Sequence, residues 1–543
     1  MSIKNTIGHI IKCSLDKISN LDPISEDNIV VEIPTKKENG DYSTNIALTL
    51  TKKLHKSPID IAQEIISNID ENEIIKEIKI ANPGFINFYL KKEYLLKQIN
   101  NIIDENKNYG RNNIGNGKKI NIEYVSANPT GILHIGHGRG ATYGDCLARI
   151  MSKSGFDVTK EYYVNDAGNQ MNNLGISIKE RYKEICGKEC NLPEDGYHGR
   201  EIITIAQSIY DYYKDTKLNE GIEYFKQQGL EKLLDKIKKD LDRYRVNFDI
   251  FTSEQSLYDK GLVDSALNIL KNNNHCYIAE DALWLKTSDY GDEKDRVLIK
   301  NDGNYTYLTP DISYHLDKIN RGYEEVIDVL GADHHGYINR LKAAITMLGK
   351  NSDIIDIRIL QMVRLIKDGE ELKLSKRTGK TITLMDLVDE IGVNATRYFF
   401  ASRSLDTSMD FNIDLASKQS NENPVYYIEY ANARICSILK NYKKKPIKHD
   451  KYTTLNNEEA YIILNKLISF EDVVTSASLK KEPHLIANYV YELATLFHSY
   501  YAKEKMITDD ELATSERINL IVAIQIVIQN ALDLLGIIPR EEM

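Results

Sequence analysis

Cysteine is scarce in this chain. There are six in 543 residues, at positions 13, 146, 186, 190, 276 and 436, too few and too scattered for the disulfide framework of a secreted domain. The one close pair, in CGKEC with His198 nearby, lacks the tighter CxxC spacing and the second ligand pair of a zinc site. Packing or surface thiols are therefore expected, and no structural metal. A surplus of positive charge is missing too, since 70 basic residues face 80 acidic ones for a net charge of −10. That balance argues weakly against a polyanionic partner, but a large enzyme can still hold RNA through local basic patches. Long unbroken apolar runs are also absent. Ile3, Ile7, Ile10, Ile11, Leu15 and Ile18 stand at helical spacing with polar residues between them, an amphipathic helix and not a signal peptide. Residues 518–538 are apolar but interrupted by Asn519, Gln525, Gln529, Asn530 and Asp533, the pattern of a buried helix and not of a membrane span. A cytoplasmic protein with no membrane partner is expected. No internal repeat or extended low-complexity tract is present.

The 42% hydrophobic content is enough to bury several cores, so three or four domains are expected. Residues 1–110 mix helical periodicity with short apolar runs at 78–80 and 85–90 and read as a small α+β domain. The Asn-, Gly- and Lys-rich stretch 104–119 has little to bury and marks a boundary. Directly after it Ile120, Ile122, Tyr124 and Val125 form a strand-like run, SANPTG forces a turn at Pro129 and Gly131, and a helix is predicted from His134 to about Ser154. Strand, turn and helix in that order open a nucleotide-binding α/β unit, a Rossmann-type parallel-sheet domain over 118–410. A helix-rich insertion is predicted at about 170–300. Strand-like runs then return at 297–299 and 326–330, alternating with helices near 312–319 and 336–349. After about 410 no strand candidates remain, and 420–543 is predicted to be an all-helical domain.

Two short motifs carry the chemistry. In His134-Ile135-Gly136-His137 two imidazoles three residues apart at a helix start share one side with the exposed backbone N–H groups. Gly136 lets a planar base approach the backbone, an arrangement suited to a nucleoside triphosphate. Far downstream lies Lys373-Leu374-Ser375-Lys376-Arg377, bracketed by Gly369 and Gly379. Charge clusters are most often solvated faces, but a hinged loop bearing two ammonium groups suits the negative charge developing on a transferring phosphoryl group.

HIGH followed some 240 residues later by KLSKR resembles the paired signatures of class I aminoacyl-tRNA synthetases. The segments at 122–141 (IEYVSANPTGILHIGHGRGA), 162–170 (YYVNDAGNQ), 291–315 and 329–337 (VLGADHHGY) narrow the resemblance to the arginyl-tRNA synthetase family. So does 426–439 (YYIEYANARICSIL), similar to that family's anticodon-binding domain. NGDYSTNIA (39–47) and ANPGFINFYL (81–90) are similar to its N-terminal domain, which contacts the tRNA elbow. The chain departs from the class signature at Leu374 and Arg377, where Met and Ser are usual, and at Pro310, where the family often has a basic residue.

The resemblance implies ATP, L-arginine and tRNA(Arg) as partners, magnesium with the ATP, and a monomer. Pro129, Thr130, Gly131, His134, Gly136, His137, Lys373, Ser375 and Lys376 would meet ATP. His134, His137, Lys373 and Lys376 would be catalytic. Glu123, Ser126, Asn128, His137, Tyr307 and Asp311 would form the arginine pocket, with Asp311 and Glu123 as the guanidinium carboxylates and Asn128 at the α-amino end. A planar guanidinium with five donors suits a carboxylate that accepts two parallel hydrogen bonds. It implies too that tRNA must be bound before the first step. In the helical tail Tyr426, Tyr427, Tyr430 and Arg434 recur at helical spacing, usually a core pattern, while Tyr430 and Arg434 are candidates for tRNA contact with Lys443, Lys444, Lys445 and Lys448 nearby. A small nucleotidyltransferase would lack the flanking domains. A decayed RNA-binding relative would not keep both histidines and both loop lysines. A cysteine-specific class I enzyme would want zinc ligands in its pocket.

Overall fold

The computed structural model describes residues 3–34, 36–372 and 382–543. Near the N-terminus four antiparallel strands lie in the order Val31–Glu32, Tyr42–Thr44, Phe85–Leu90, Ile75–Ala81. The helix Ile3–Leu15 buries Ile3, Ile7, Ile11 and Leu15, one side chain per turn. The helix Pro58–Ser67 starts on Ser57, whose side chain accepts the Asp60 N–H, with Pro58 in the first turn where a missing N–H costs nothing.

The centre of the molecule is a five-stranded parallel sheet. In chain order its parts are strand β1 (Lys119–Glu123), helix α1 (Ile135–Lys153), strands β2 (Asp157–Val164) and β3 (Ile250–Ser253), helix α2 (Leu308–Asn320), and strands β4 (Glu325–Gly331) and β5 (Ile355–Leu360). Across the sheet they run β5-β4-β1-β2-β3. The chain proceeds to one side of β1 and then crosses to the other, so the strand order reverses between β1 and β4. In open parallel sheets ligands bind at the carboxyl ends of the strands beside such a reversal. Both α1 and α2 begin at that edge, because a crossover helix runs opposite to its strands.

Several strands differ from the sequence reading. β3 lies inside the stretch expected to be helical; it is four residues long and half-buried throughout, so it carries no continuous apolar run to announce it. The run at 297–299 does not resume the parallel sheet. It belongs to Arg296–Ile299, one edge of a separate antiparallel sheet with Ala282–Leu285 and Cys276–Ala279, and periodicity cannot say which sheet a short run joins. At about residue 410, where strand candidates end in the sequence, Met409–Asn412 pairs in parallel with Val363–Lys367.

Helix α3 (Leu384–Ala401) leads to a helical region that includes α4 (Pro424–Tyr442), α5 (His484–Lys503) and α6 (Glu511–Leu534). α6 is long and apolar enough to cross a membrane by length and composition, yet 72% of its most apolar window is buried within the protein.

Candidate active site

β1 ends at Glu123, and the chain then turns sharply: Val125 and Ser126 take φ of 68° and 36°. A β-branched residue in the left-handed region is strained, and such strain gathers where surrounding structure fixes a functional turn. Ser126 is held on both sides, its hydroxyl donating to Glu123 Oε1 (2.9 Å) and accepting the Tyr163 N–H (3.0 Å). Asn128 is exposed and donates to Gln170 Oε1 at 3.0 Å. Pro129 is buried, and Thr130 and Gly131 are half-buried in the turn that feeds α1.

His134 is the N-cap of α1. Its Nδ1 accepts the Gly136 N–H (3.1 Å), while His137 Nδ1 accepts the N–H of His134 itself (3.2 Å), a reciprocal cap made from two imidazoles. The rings stack with centroids 3.7 Å apart. Because each Nδ1 accepts, each ring keeps its hydrogen on Nε2. Burial, with His134 adding, lowers His137 to about 3, so it is neutral at physiological pH. A Cβ on Gly136 would sit 3.0 Å from the His134 ring, which is why that position is open.

α2 presents a second set of groups. Asp311, His315 and Lys318, at i, i+4 and i+7, lie along one face. Pro310 sits in the first turn, where no intrahelical partner awaits an N–H, so α2 tolerates it. Lys318 is fully buried; its ammonium lies 2.6 Å from Glu123 Oε2 and 2.8 Å from Asp328 Oδ1. Burial alone would lower Lys318, but Asp328 and Glu123, then Glu161, outweigh it and hold the ammonium above its ordinary value. His315 Nδ1 donates to the Asp311 carbonyl (2.7 Å) and Nε2 to Asp328 Oδ2 (2.8 Å). Burial opposes that charge, yet Asp328 raises His315 above 6.5, and Lys318 and His315 together overcome burial to lower Asp328.

The guanidinium carboxylates expected from sequence therefore differ in kind. Glu123 is paired with Lys318. Asp311 forms no ion pair among the described residues; its Oδ2 accepts the Tyr337 hydroxyl, and burial raises its pKa against the opposing pull of His315 and that hydroxyl, with Glu123 and Asp328 adding a little. A third carboxylate, missed in the sequence, resembles Asp311 in this respect. Glu254 opens a short helix just after β3, is 6% exposed, accepts the Tyr258 hydroxyl at 3.3 Å, and is raised by burial with Asp311 contributing. Glu254 is raised by the neighbouring Asp311, and neither carboxylate is ion-paired among the described residues, a combination that suits a cationic ligand. Glu254 follows a strand that was not predicted, so nothing in the sequence marked it. Tyr307, expected beside Asp311, is the N-cap of α2 and is 69% exposed.

Lys373, Ser375 and Lys376 lie outside the described residues, as do the side chains of Asp333, His334 and His335. The segment that follows the lysine loop is described: Thr383 bridges to His134, and the Leu384 N–H donates to the Leu133 carbonyl at 2.9 Å. The far end of the loop thus joins the histidine motif directly. Away from this centre, Arg434 on α4 is sandwiched between the rings of Tyr430 (4.3 Å) and Tyr501 (4.6 Å), and donates to the Tyr430 hydroxyl and to His498 Nδ1. Among the described residues no cluster of three or more His, Cys, Asp or Glu could hold a metal.

Three family models match the chain in order: an arginyl tRNA synthetase N-terminal domain over residues 5–90, a class I (R) tRNA synthetase catalytic domain over 98–402, and a DALR anticodon-binding domain over 428–543. An arginine–tRNA ligase of Bacillus subtilis is 46% identical over all of this chain and 99% of its own length. One from Halalkalibacterium halodurans is 48% identical over 95% of this chain and 94% of its own. The solved arginyl-tRNA synthetase of Thermus thermophilus matches at a TM-score of 0.79 and 20% identity over the whole of both chains, a likeness of fold.

Proposed function

The chain belongs to the arginyl-tRNA synthetase family, and from that premise we propose how its residues divide the work. The reaction is that of an arginine–tRNA ligase: arginine is activated with ATP to arginyl-adenylate and pyrophosphate, and the arginyl group passes to the 3′-terminal ribose of tRNA. We read the turn at Pro129, Thr130 and Gly131 and the start of α1 as the ATP site. There His134 and His137 offer Nε2–H donors to the phosphates, and Gly136 leaves room for the base. As charge develops on the α-phosphate during attack by the arginine carboxylate, fixed donors gain strength where they matter. By their place in the loop signature, Lys373 and Lys376 would add positive charge and Ser375 a hydrogen bond. Magnesium arrives with the ATP as part of the substrate. No side-chain nucleophile is required, because positioning and charge stabilisation carry such transfers.

The observation that carries the arginine site is the Asp311–Glu254 pair, a half-buried and a buried carboxylate, neither of them ion-paired among the described residues. A guanidinium relieves both at once and supplies enough donors for parallel hydrogen bonds. Ser126 and Asn128 sit on the strained turn, suited to the α-amino end, and His137 stands between the two ligands. Tyr307 borders the mouth. For tRNA(Arg), the N-terminal domain (1–110) and the helical domain (420–543) flank the catalytic unit (118–410), and Tyr430 and Arg434 offer stacking and charge to splayed bases. We read the enzyme as a cytoplasmic monomer. ATP–pyrophosphate exchange, run with each of the twenty amino acids with and without tRNA, tests the assignment. Exchange with arginine alone, dependent on tRNA, is expected, and exchange driven by another amino acid would refute it.

A further inference from the structure

The parallel register sets three acids side by side. Glu123 on β1 lies opposite Glu161 on β2 and opposite Asp328 on β4. Like charges directly across strands repel, and at the dry end of a sheet they would drive one another to protonate. The cationic face of α2 answers this row. Arg321 takes both oxygens of Glu161 (3.0 and 2.9 Å), and Lys318 bridges Glu123 and Asp328. His315 takes the remaining oxygen of Asp328 and, through its other nitrogen, the backbone carbonyl of Asp311.

We propose that Lys318 is a positioning residue for arginine selection: it ties up Glu123 and Asp328 so that the guanidinium is received by Asp311 and not by the row of acids behind it. This rests on the reading of Asp311 as a guanidinium partner. Glu123 has one oxygen on the Lys318 ammonium and the other on the Ser126 hydroxyl, so it cannot offer two free oxygens in parallel. Asp328 is closed in the same way by Lys318 and His315. Lys318 also sits over the Tyr314 ring at 4.3 Å and is fully buried, so its ammonium has no freedom to leave. The same chain of contacts, Lys318 to Asp328 to His315 to the Asp311 carbonyl, anchors the first turn of α2 and aims Asp311. Removing the ammonium frees two buried anions that compete for the guanidinium, and loosens the turn that presents Asp311.

The test is tRNA-dependent ATP–pyrophosphate exchange on the full chain, with KM for arginine and for ATP measured separately. Lys318→Met is expected to raise the arginine KM about tenfold or more, as the loss of one partner from a buried charge pair does, while the ATP KM stays within about twofold. Lys318→Arg, which keeps the charge, should recover most of that loss. An arginine KM unchanged in Lys318→Met, or an ATP KM raised as much, overturns the proposal. Should Lys318→Met not fold, Glu123→Gln decides, since the amide keeps the shape and the hydrogen bond from Ser126. It should cost arginine binding far less than Asp311→Asn, and an equal cost would make Glu123 a direct ligand and end the idea. Asp311→Asn with normal arginine KM would instead refute the underlying reading of the pocket.

Discussion

At the scale of single residues, the charge state of His137 sets a measurable pH dependence. Its native value, about 3, lies below the ordinary 6.5, so between those values the unfolded chain binds a proton that the folded one refuses. The stabilisation from keeping His137 neutral is complete above 6.5 and is lost as pH falls toward 3. The thermal midpoint of the intact protein should thus fall more steeply from pH 6.5 to 4 than that of His137→Gln; parallel slopes would show the ring to be no more buried than water allows. With Nδ1 occupied as an acceptor in each ring, His134 and His137 present Nε2–H donors and not counter-ions. Their single replacements by Ala should each slow adenylation about a hundredfold, the usual loss of one transition-state donor, as single-turnover kinetics would read. The HIGH motif was legible because its parts are contiguous and cap one helix. Glu254 and Lys318 were not, because their meaning lies in contacts with groups far away in sequence: Lys318 meets Glu123 across 195 residues. Glu123 stands at the end of a strand that the sequence marks, but its pairing with Lys318 cannot be read from a strand end.

At the scale of elements, α1 must lie close against the end of β1 for the histidines to reach the sheet edge. Gly144 makes that approach possible, since a Cβ there would stand 2.1 Å from the Tyr124 ring, which is wholly buried. Gly144→Ala is expected to destabilise the protein by about 1–3 kcal/mol through overpacking. A thermal midpoint lowered by several degrees, with exchange activity reduced in step as α1 shifts, is the outcome to look for; an unchanged midpoint would mean that the Tyr124 ring moves aside freely. Long periodic elements such as α1, α2, α4 and α6 were readable from spacing and caps. The short strands β3 and Met409–Asn412 were not, because four residues cannot display a period and tertiary pairing decides their state. The placement of Arg296–Ile299 in a separate sheet failed for the same reason: its partners are chosen by the fold, not by its own three apolar residues.

At the scale of the whole molecule, the order of α+β region, parallel sheet and helical tail follows from composition and periodicity, but the joints between them do not. One consequence concerns tRNA. Arg434→Ala removes the guanidinium between Tyr430 and Tyr501, and should raise KM for tRNA about tenfold, the worth of one stacked base, with kcat in aminoacylation little changed. A fall in kcat with normal tRNA KM would place Arg434 in core packing instead. The joint itself is held by Arg397 on α3, a guanidinium with no exposure at all. It is ion-paired with Asp145 on α1, and donates to the Leu535 carbonyl just beyond α6 (2.8 Å) and to the Tyr244 carbonyl after the helix Ile222–Arg243 (3.1 Å). Four separate stretches of chain thus meet on one side chain, and the Leu535 and Tyr244 carbonyls have no other donor among the hydrogen bonds of the described residues. Arg397→Met fills the space but strands Asp145 and leaves buried carbonyls unmet. Breaking one partner out of a buried pair costs about 3–5 kcal/mol. The lower end is expected here, because Arg149 Nε also reaches Asp145 at 2.8 Å and relieves part of the charge. The thermal midpoint should drop accordingly, and adding Asp145→Asn should return a good part of the loss, since the charge left behind is what makes the single change expensive. If the double variant is no more stable than Arg397→Met, the cost lies in the carbonyls at Leu535 and Tyr244, and Arg397 serves the joint as a hydrogen-bond donor and not as an ion.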